Sequence, residues 1–299
     1  MKPSALLFSA VFLAAAALPQ AAQALNAADA RHLLARSGFA ATPGEIEALA
    51  PLGREEAVAQ LLATLRRETV TPAPDWTANW TPARPAGLSE AERLALRDTR
   101  REEARDLKAW WLREMLATPS PLTEVMTLFW HNHFTSSLSK VKVPTLLYRQ
   151  NLLLRRHATG NFGDLLRAVA RDPAMLIYLD NARSRKEAPN ENFARELLEL
   201  FTLGEGRYGE ADLKQAARAF TGWSVDPASG TFTFRRRWHD DGEKEILGRR
   251  GAFGGDDVID LLLARPETAE LIVAKLWRQF ISESPEPVEV ARLAALFRD

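Results

Sequence analysis

The sequence predicts a mainly α-helical protein: a single multi-helical domain with one small β-hairpin inserted late in the chain. Three observations carry that expectation. Apolar residues recur at helical spacing in segment after segment beyond residue 25. Capping signals and prolines mark the helix starts, at Thr42-Pro43-Gly44-Glu45, at Ser89-Glu90-Ala91-Glu92 and at Asp172-Pro173. Period-two alternation, the mark of a strand, emerges at Thr231–Phe234.

The chain has 299 residues, 46% of them hydrophobic and 26% charged, which permits one large domain with a sizeable core. Lys+Arg and Asp+Glu balance at 39 each. No global field therefore draws in nucleic acid, which is not an expected partner. Cysteine is absent, which excludes thiolate nucleophiles, thiolate metal sites and disulfides. Gly-x-Ser-x-Gly, P-loop, dinucleotide and His-Glu-x-x-His patterns are also absent, so serine hydrolase, nucleotide-driven and zincin chemistry are disfavoured.

Taken in order, residues 1–24 have the pattern of a cleavable signal peptide. Lys2 is followed by apolar Leu6–Leu18, Pro19 and the small-x-small site Ala22-Gln23-Ala24. The mature domain, residues 25–299, is expected to be exported to the periplasm or beyond, with cleavage near Ala24. No later stretch is apolar and long enough to span a membrane.

Helices are predicted at 26–37, from Thr42 to Pro51 and over 54–66, followed by a Pro-rich loop at 69–87 that carries Trp76 and Trp80. The two tryptophans either pin this loop or offer a stacking platform. A long helix runs from Ser89 to about Ala117, then a second from Leu122 to Phe134 that is rich in large apolar groups. After a polar loop at 135–140, helices follow from Pro144 to His157, over 164–171 and over 174–179.

Asn190–Gly204 reads as one helix with an N-cap asparagine and a left-handed glycine stop. Its polar residues Glu191, Asn192, Arg195, Glu196 and Glu199 share an arc of roughly 140°. Beyond it come a helix at 210–220 and a hairpin at 231–247 pairing Thr231–Phe234 with Glu245–Leu247. Helices at 256–264, 268–280 and 288–297 close the chain.

Several stretches together resemble the family called domain of unknown function 1800. They are Leu33–Phe39, Phe129–Phe134, Arg171–Asn181, Pro189–Gly204, Ala219–Trp223, His239–Lys244 and Gly255–Asp260. The resemblance implies an exported, mainly helical bacterial protein and assigns it no activity. Family members are usually longer, so the resemblance also implies that a C-terminal part is missing here.

Three constellations carry chemistry. Glu124 and His131 are seven residues apart and share a helix face, while His133 falls roughly opposite. Imidazole and carboxylate suit a divalent metal, so His131, His133 and Glu124 are the candidate metal ligands; core or capping roles and metal-free acid–base catalysis stay open. Glu196 and Glu199, with Arg195 as charge partner or anion clamp, are candidate catalytic groups; a solvated face with a Glu191–Arg195 pair is the alternative. His239, Asp240 and Lys244 either present an imidazole, a carboxylate and an ammonium over a pocket or simply build a turn.

The combined expectation is a hydrolase-like enzyme, with or without a divalent metal, acting on an extracellular or envelope substrate. Its pocket would lie between the 124–134 and 190–204 helices beneath the hairpin. A non-catalytic envelope scaffold or carbohydrate-binding protein is the alternative class, and a metal-dependent oxidoreductase is the redox variant.

Overall fold

In the computed structural model, which describes residues 24–82 and 85–298, fourteen α-helices and four short strands follow one another in the predicted mainly helical order. All but the last of the expected signal-peptide residues lie outside the described residues. The first described contacts pin Ala24 and Leu25 to the α2–α3 turn: Ala24 bridges Gly53, and the Leu25 N–H donates to the Leu52 carbonyl at 2.8 Å.

The capping signals act as read. Helices α1 (Ala27–Ser37), α2 (Pro43–Leu49) and α3 (Arg54–Ala63) form a small N-terminal layer. At α2 the Thr42 N–H donates to Glu45 Oε2 at 2.8 Å and the Glu45 N–H returns a bond to Thr42 Oγ1. Ser89 and Glu92 repeat this box at the head of α4 (Glu90–Ala117). The Pro-rich loop is pinned: Trp76 Nε1 donates to Asp106 at 2.8 Å and Trp80 Nε1 to the Pro227 carbonyl at 3.1 Å.

Helix α5 (Pro121–His133) packs on α7 (Pro144–His157), which packs in turn on α8 (Phe162–Ala170) and α9 (Pro173–Tyr178). The expected polar loop after α5 contains one extra turn, α6 (Leu138–Val141), capped by the Ser137 hydroxyl. At the head of α9, Asp172 caps the Met175 N–H at 3.0 Å and accepts from Gln150 Nε2 at 2.6 Å. Burial pushes its carboxyl up to about 7, against the downward pull of those donors.

The stretch Asn190–Gly204 changes character halfway. Helix α10 (Glu191–Glu196) is α-helical, but Leu197–Leu203 is a π-helix. The Gly204 N–H reaches back to the Glu199 carbonyl at 3.1 Å, and Thr202 Oγ1 to the Leu197 carbonyl at 2.6 Å. Gly204 has φ 92° and ψ 165°, a positive-φ stop but not the left-handed helical conformation expected. Phe193, Leu197, Leu198 and Phe201 are all buried here, each contributing about 1.5–3 kcal/mol by leaving water.

Helix α11 (Glu210–Ala219) leads into the strands. The expected single hairpin is two. Strand β1 (Trp223–Val225) pairs with β2 (Phe232–Phe234), and β3 (Lys244–Ile246) pairs with β4 (Arg249–Gly251). Phe232–Phe234 therefore pairs backward, with a strand the alternation had not revealed. Helices α12 (Gly255–Leu263), α13 (Pro266–Phe280) and α14 (Pro287–Arg298) follow; α13 lies against the π-helix and α14 against α13.

Candidate functional site

The site is built where the C-terminal end of α11 meets β1. Thr221 is its pivot. The Thr221 carbonyl accepts from His239 Nδ1 at 2.8 Å, and its hydroxyl oxygen accepts from the Asp240 N–H at 2.9 Å. Two adjacent residues of the β2–β3 loop are thus clamped by one residue. Gly222 follows with φ 83°, and a Cβ there would stand 2.8 Å from the Arg235 carbonyl oxygen and 3.2 Å from His239 Cβ. Gly222→Ala is therefore expected to cost about 1–3 kcal/mol and to displace the His239 ring, a loss that thermal unfolding measures.

Asp240 and Lys244 hold this loop; neither is a free catalytic group. The Arg218 guanidinium grips Asp240 through Nε at 2.7 Å and Nη2 at 2.9 Å, and keeps its carboxyl below the usual aspartate range. Lys244 is buried, and its ammonium donates to the carbonyls of Asp240 at 2.6 Å and Gly242 at 2.9 Å; burial lowers its pKa. Both groups are engaged in holding the loop, Asp240 on Arg218 of α11 and the Gly242 N–H and Lys244 on two loop carbonyls, which favours the turn-building alternative for this pair.

His239 is different. Since a carbonyl only accepts, Nδ1 carries a proton, and in the neutral ring Nε2 is then the nitrogen with the lone pair. Among the described residues Nε2 has no hydrogen bond; Asp241 is 3.8 Å away and paired with Arg236 at 2.7 Å. His239 as a whole is buried, with 7% of its surface exposed. The ring lines a cavity of about 290 Å³.

Trp223, Phe232 and Phe234 form the aromatic side of that cavity, and Phe234 is 44% exposed. Arg171 and the first residues of α12 form its polar side. Arg171 Nη2 reaches Asp256 at 2.5 and 2.6 Å, and its guanidinium lies 5.1 Å from the Trp223 ring. Asp257 accepts from the Gly254 N–H at 2.8 Å. Gly255 sits against Trp223, where an added Cβ would fall 2.4 Å from the indole.

The other expected site residues lie elsewhere. Glu124 is 1% exposed and is spent on Arg155, whose Nε and Nη2 donate at 2.6 and 2.9 Å, and on Trp111 Nε1 at 2.9 Å. His131 shares the Trp111 side, as the seven-residue spacing implied, with its ring 5.3 Å from the indole; burial lowers its pKa. His133 points into a cluster with Trp130, Phe134, Phe162 and Phe201. Lys275 Nζ donates to its Nδ1 at 2.9 Å, so its Nε2 donates to the Phe201 carbonyl at 3.3 Å. Burial first, and the Lys275 charge second, push this imidazole down to about 3.

The proposed metal set is therefore corrected. Glu124 is committed to Arg155 and Trp111 and His133 to Lys275 and Phe201, and no group of three His, Asp or Glu among the described residues is placed to hold one ion. The expected pocket between the 124–134 and 190–204 helices is instead filled, by the ring contacts of His133 and Phe134 with Phe201.

Arg195 is a surface residue, 3.5 Å from Glu191 and 3.4 Å from Glu210. Glu199 accepts from Tyr208 Oη at 2.7 Å. Glu196 makes no side-chain hydrogen bond or ion pair among the described residues, and burial, then Glu199, raises its pKa; it does not line the His239 cavity. Of the nine residues proposed from sequence, the cavity keeps His239 as a lining group. Arg171 and the Gly255–Asp257 turn were not singled out as site residues, and Trp223 was read only as a contact residue of the carbohydrate-binding alternative. The signal available was that their stretches, together with His239–Lys244, belong to the set that carries the family resemblance.

Fold and site together define a mainly helical protein with a histidine-bearing cavity lined by the first hairpin, the β2–β3 loop, Arg171 and the head of α12. Residues 32–299 match the family model described as a protein of unknown function (DUF1800), and the chain belongs to that family. Comparison with curated proteins and with solved structures finds no match. No helix among the described residues is long and apolar enough to cross a membrane.

Proposed function

We propose that this protein is an exported enzyme of hydrolytic type with His239 as its general base. One observation supports the reading: the Thr221 carbonyl holds Nδ1 of the neutral imidazole as donor, which leaves Nε2 as the acceptor nitrogen of a ring that lines the cavity. In that arrangement Nε2 takes a proton from water as the water oxygen bonds to the substrate's electrophilic carbon. The leaving group then recovers that proton from the imidazolium as its bond breaks. Arg171, paired with Asp256, is the cation that lines the same cavity and would face developing negative charge there, and the aromatic side fits a ring or acyl group. The export assignment rests on the Lys2 to Ala24 pattern, and N-terminal sequencing of the secreted protein tests it.

The catalytic test is a panel of aryl esters, aryl glycosides and envelope glycan fragments, run with wild type and His239→Gln. The expected result is turnover that falls roughly 10²- to 10⁴-fold in the variant with the helical signal unchanged. Equal turnover in both proteins would remove His239 from the chemistry. Binding that survives in the variant, with no turnover by either protein, would favour the carbohydrate-binding alternative, for which the exposed ring of Phe234 is the supporting observation.

A further inference from the structure

A second cavity, of about 590 Å³, shares no lining residue with the His239 cavity. Its size falls in the range that encloses small organic ligands. The floor is apolar: Val141 and Val143 are buried and Ile177 and Val225 join them. One wall is Trp80, fixed by its bond to the Pro227 carbonyl at 3.1 Å.

The rim is cationic. Lys140, Lys142 and Arg183 line it, with Asp180 as the acid opposite. Lys140 neutralises Asp180 across 2.7 Å. Lys142 and Arg183 make no ion pair or side-chain hydrogen bond among the described residues, so two positive charges stand uncompensated beside an apolar floor. Lys142 also adopts φ 62°, a conformation uncommon for a residue with a β-carbon.

An aliphatic ligand alone would leave the two cations unused, and a bare inorganic anion would leave the floor and Trp80 unused. We infer that this cavity binds a small amphipathic organic anion: an apolar body carrying one carboxylate, sulfonate or phosphate group. The apolar body fills the floor against Trp80, and the acid group meets Lys142 and Arg183. The inference stands apart from the hydrolytic reading of the His239 cavity.

Two dyes with nearly the same apolar body test it on the purified protein: anilinonaphthalene sulfonate, which carries the anion, and the uncharged N-phenyl-naphthylamine. The sulfonate is expected to bind saturably, to weaken at least roughly tenfold in Lys142→Gln/Arg183→Gln, and to weaken with added salt. The neutral dye is expected to bind that double variant as it binds wild type. Ile177→Trp, which fills the floor, is expected to abolish both signals, and Val225→Phe provides a second blocked cavity should the first variant lose its helical circular dichroism. Absence of saturable sulfonate binding, unchanged affinity in the double variant, or binding that persists in a folded blocked variant would overturn the inference.

Discussion

Arg155→Ala is expected to lower the unfolding free energy by about 3–5 kcal/mol, a large share of the roughly 5–15 kcal/mol typical of a folded domain. Glu124 and Arg155 are each 1% exposed, so neither charge has water to fall back on. Removing the guanidinium leaves the Glu124 carboxylate with Trp111 Nε1 as its remaining donor and strips Asn151 Oδ1 of a partner at 2.7 Å. It also takes away the cation over the Trp110 ring. Glu124→Gln/Arg155→Met removes both charges together and is expected to recover most of the loss, because the penalty comes from the orphaned charge rather than from the missing bond. Urea unfolding at constant m value reads both effects. A single variant within about 1 kcal/mol of wild type would show that Glu124 is not held as described.

The second large effect is acid sensitivity from His133. Its folded pKa, about 3, lies below the ordinary 6.5, so the fold prefers the neutral ring. The contribution is fully present above pH 6.5 and is lost as pH falls from 6.5 towards 3, because the unfolded chain takes up a proton that the folded chain refuses. The full span is on the order of 4–5 kcal/mol. His133→Gln keeps a neutral side chain in place, and its stability is expected to fall less than that of wild type between pH 7 and pH 4. Asp172 runs the other way: its raised pKa gives stability that is lost as pH rises towards 7. That contribution is common to both proteins and cancels in the difference. Parallel stability profiles from denaturant unfolding would contradict the assignment.

Much of the helical frame was legible because its signals are local. Thr42 with Glu45 and Ser89 with Glu92 each act within three residues, and Pro144 opens its helix at the position its missing N–H predicts. What failed was non-local or had no distinct residue pattern. Glu124 looks like a ligand until Arg155, 31 residues away, is seen to claim it. His133 looks like one until Lys275, 142 residues away, does the same. The π-turns of Leu197–Leu203 differ from an α-helix by one residue per hydrogen-bond step, which apolar spacing over seven residues does not resolve. Phe232–Phe234 announced a strand, but alternation does not name the partner, and the partner Trp223–Val225 is three residues long.

The site itself was half legible. His239, Asp240 and Lys244 were grouped correctly by position, but the sequence gives no way to tell the engaged groups from the free one. The difference lies in Arg218 and Thr221, which reach the loop from 22 and 18 residues earlier and satisfy Asp240 and one nitrogen of His239. What remains free after that bonding is Nε2, and the functional reading rests on it.

The most direct test is the protonation of the His239 ring, read from nitrogen-15 correlation spectra of the protein and assigned with His239→Gln. The structure requires that, in the neutral ring, Nδ1 carries the proton and Nε2 carries none, because the Thr221 carbonyl accepts from Nδ1 at 2.8 Å. Spectra showing the proton on Nδ1 would leave Nε2 available as the base. Spectra showing it on Nε2 would contradict the bond to Thr221 and, with it, the assignment of His239 as the general base.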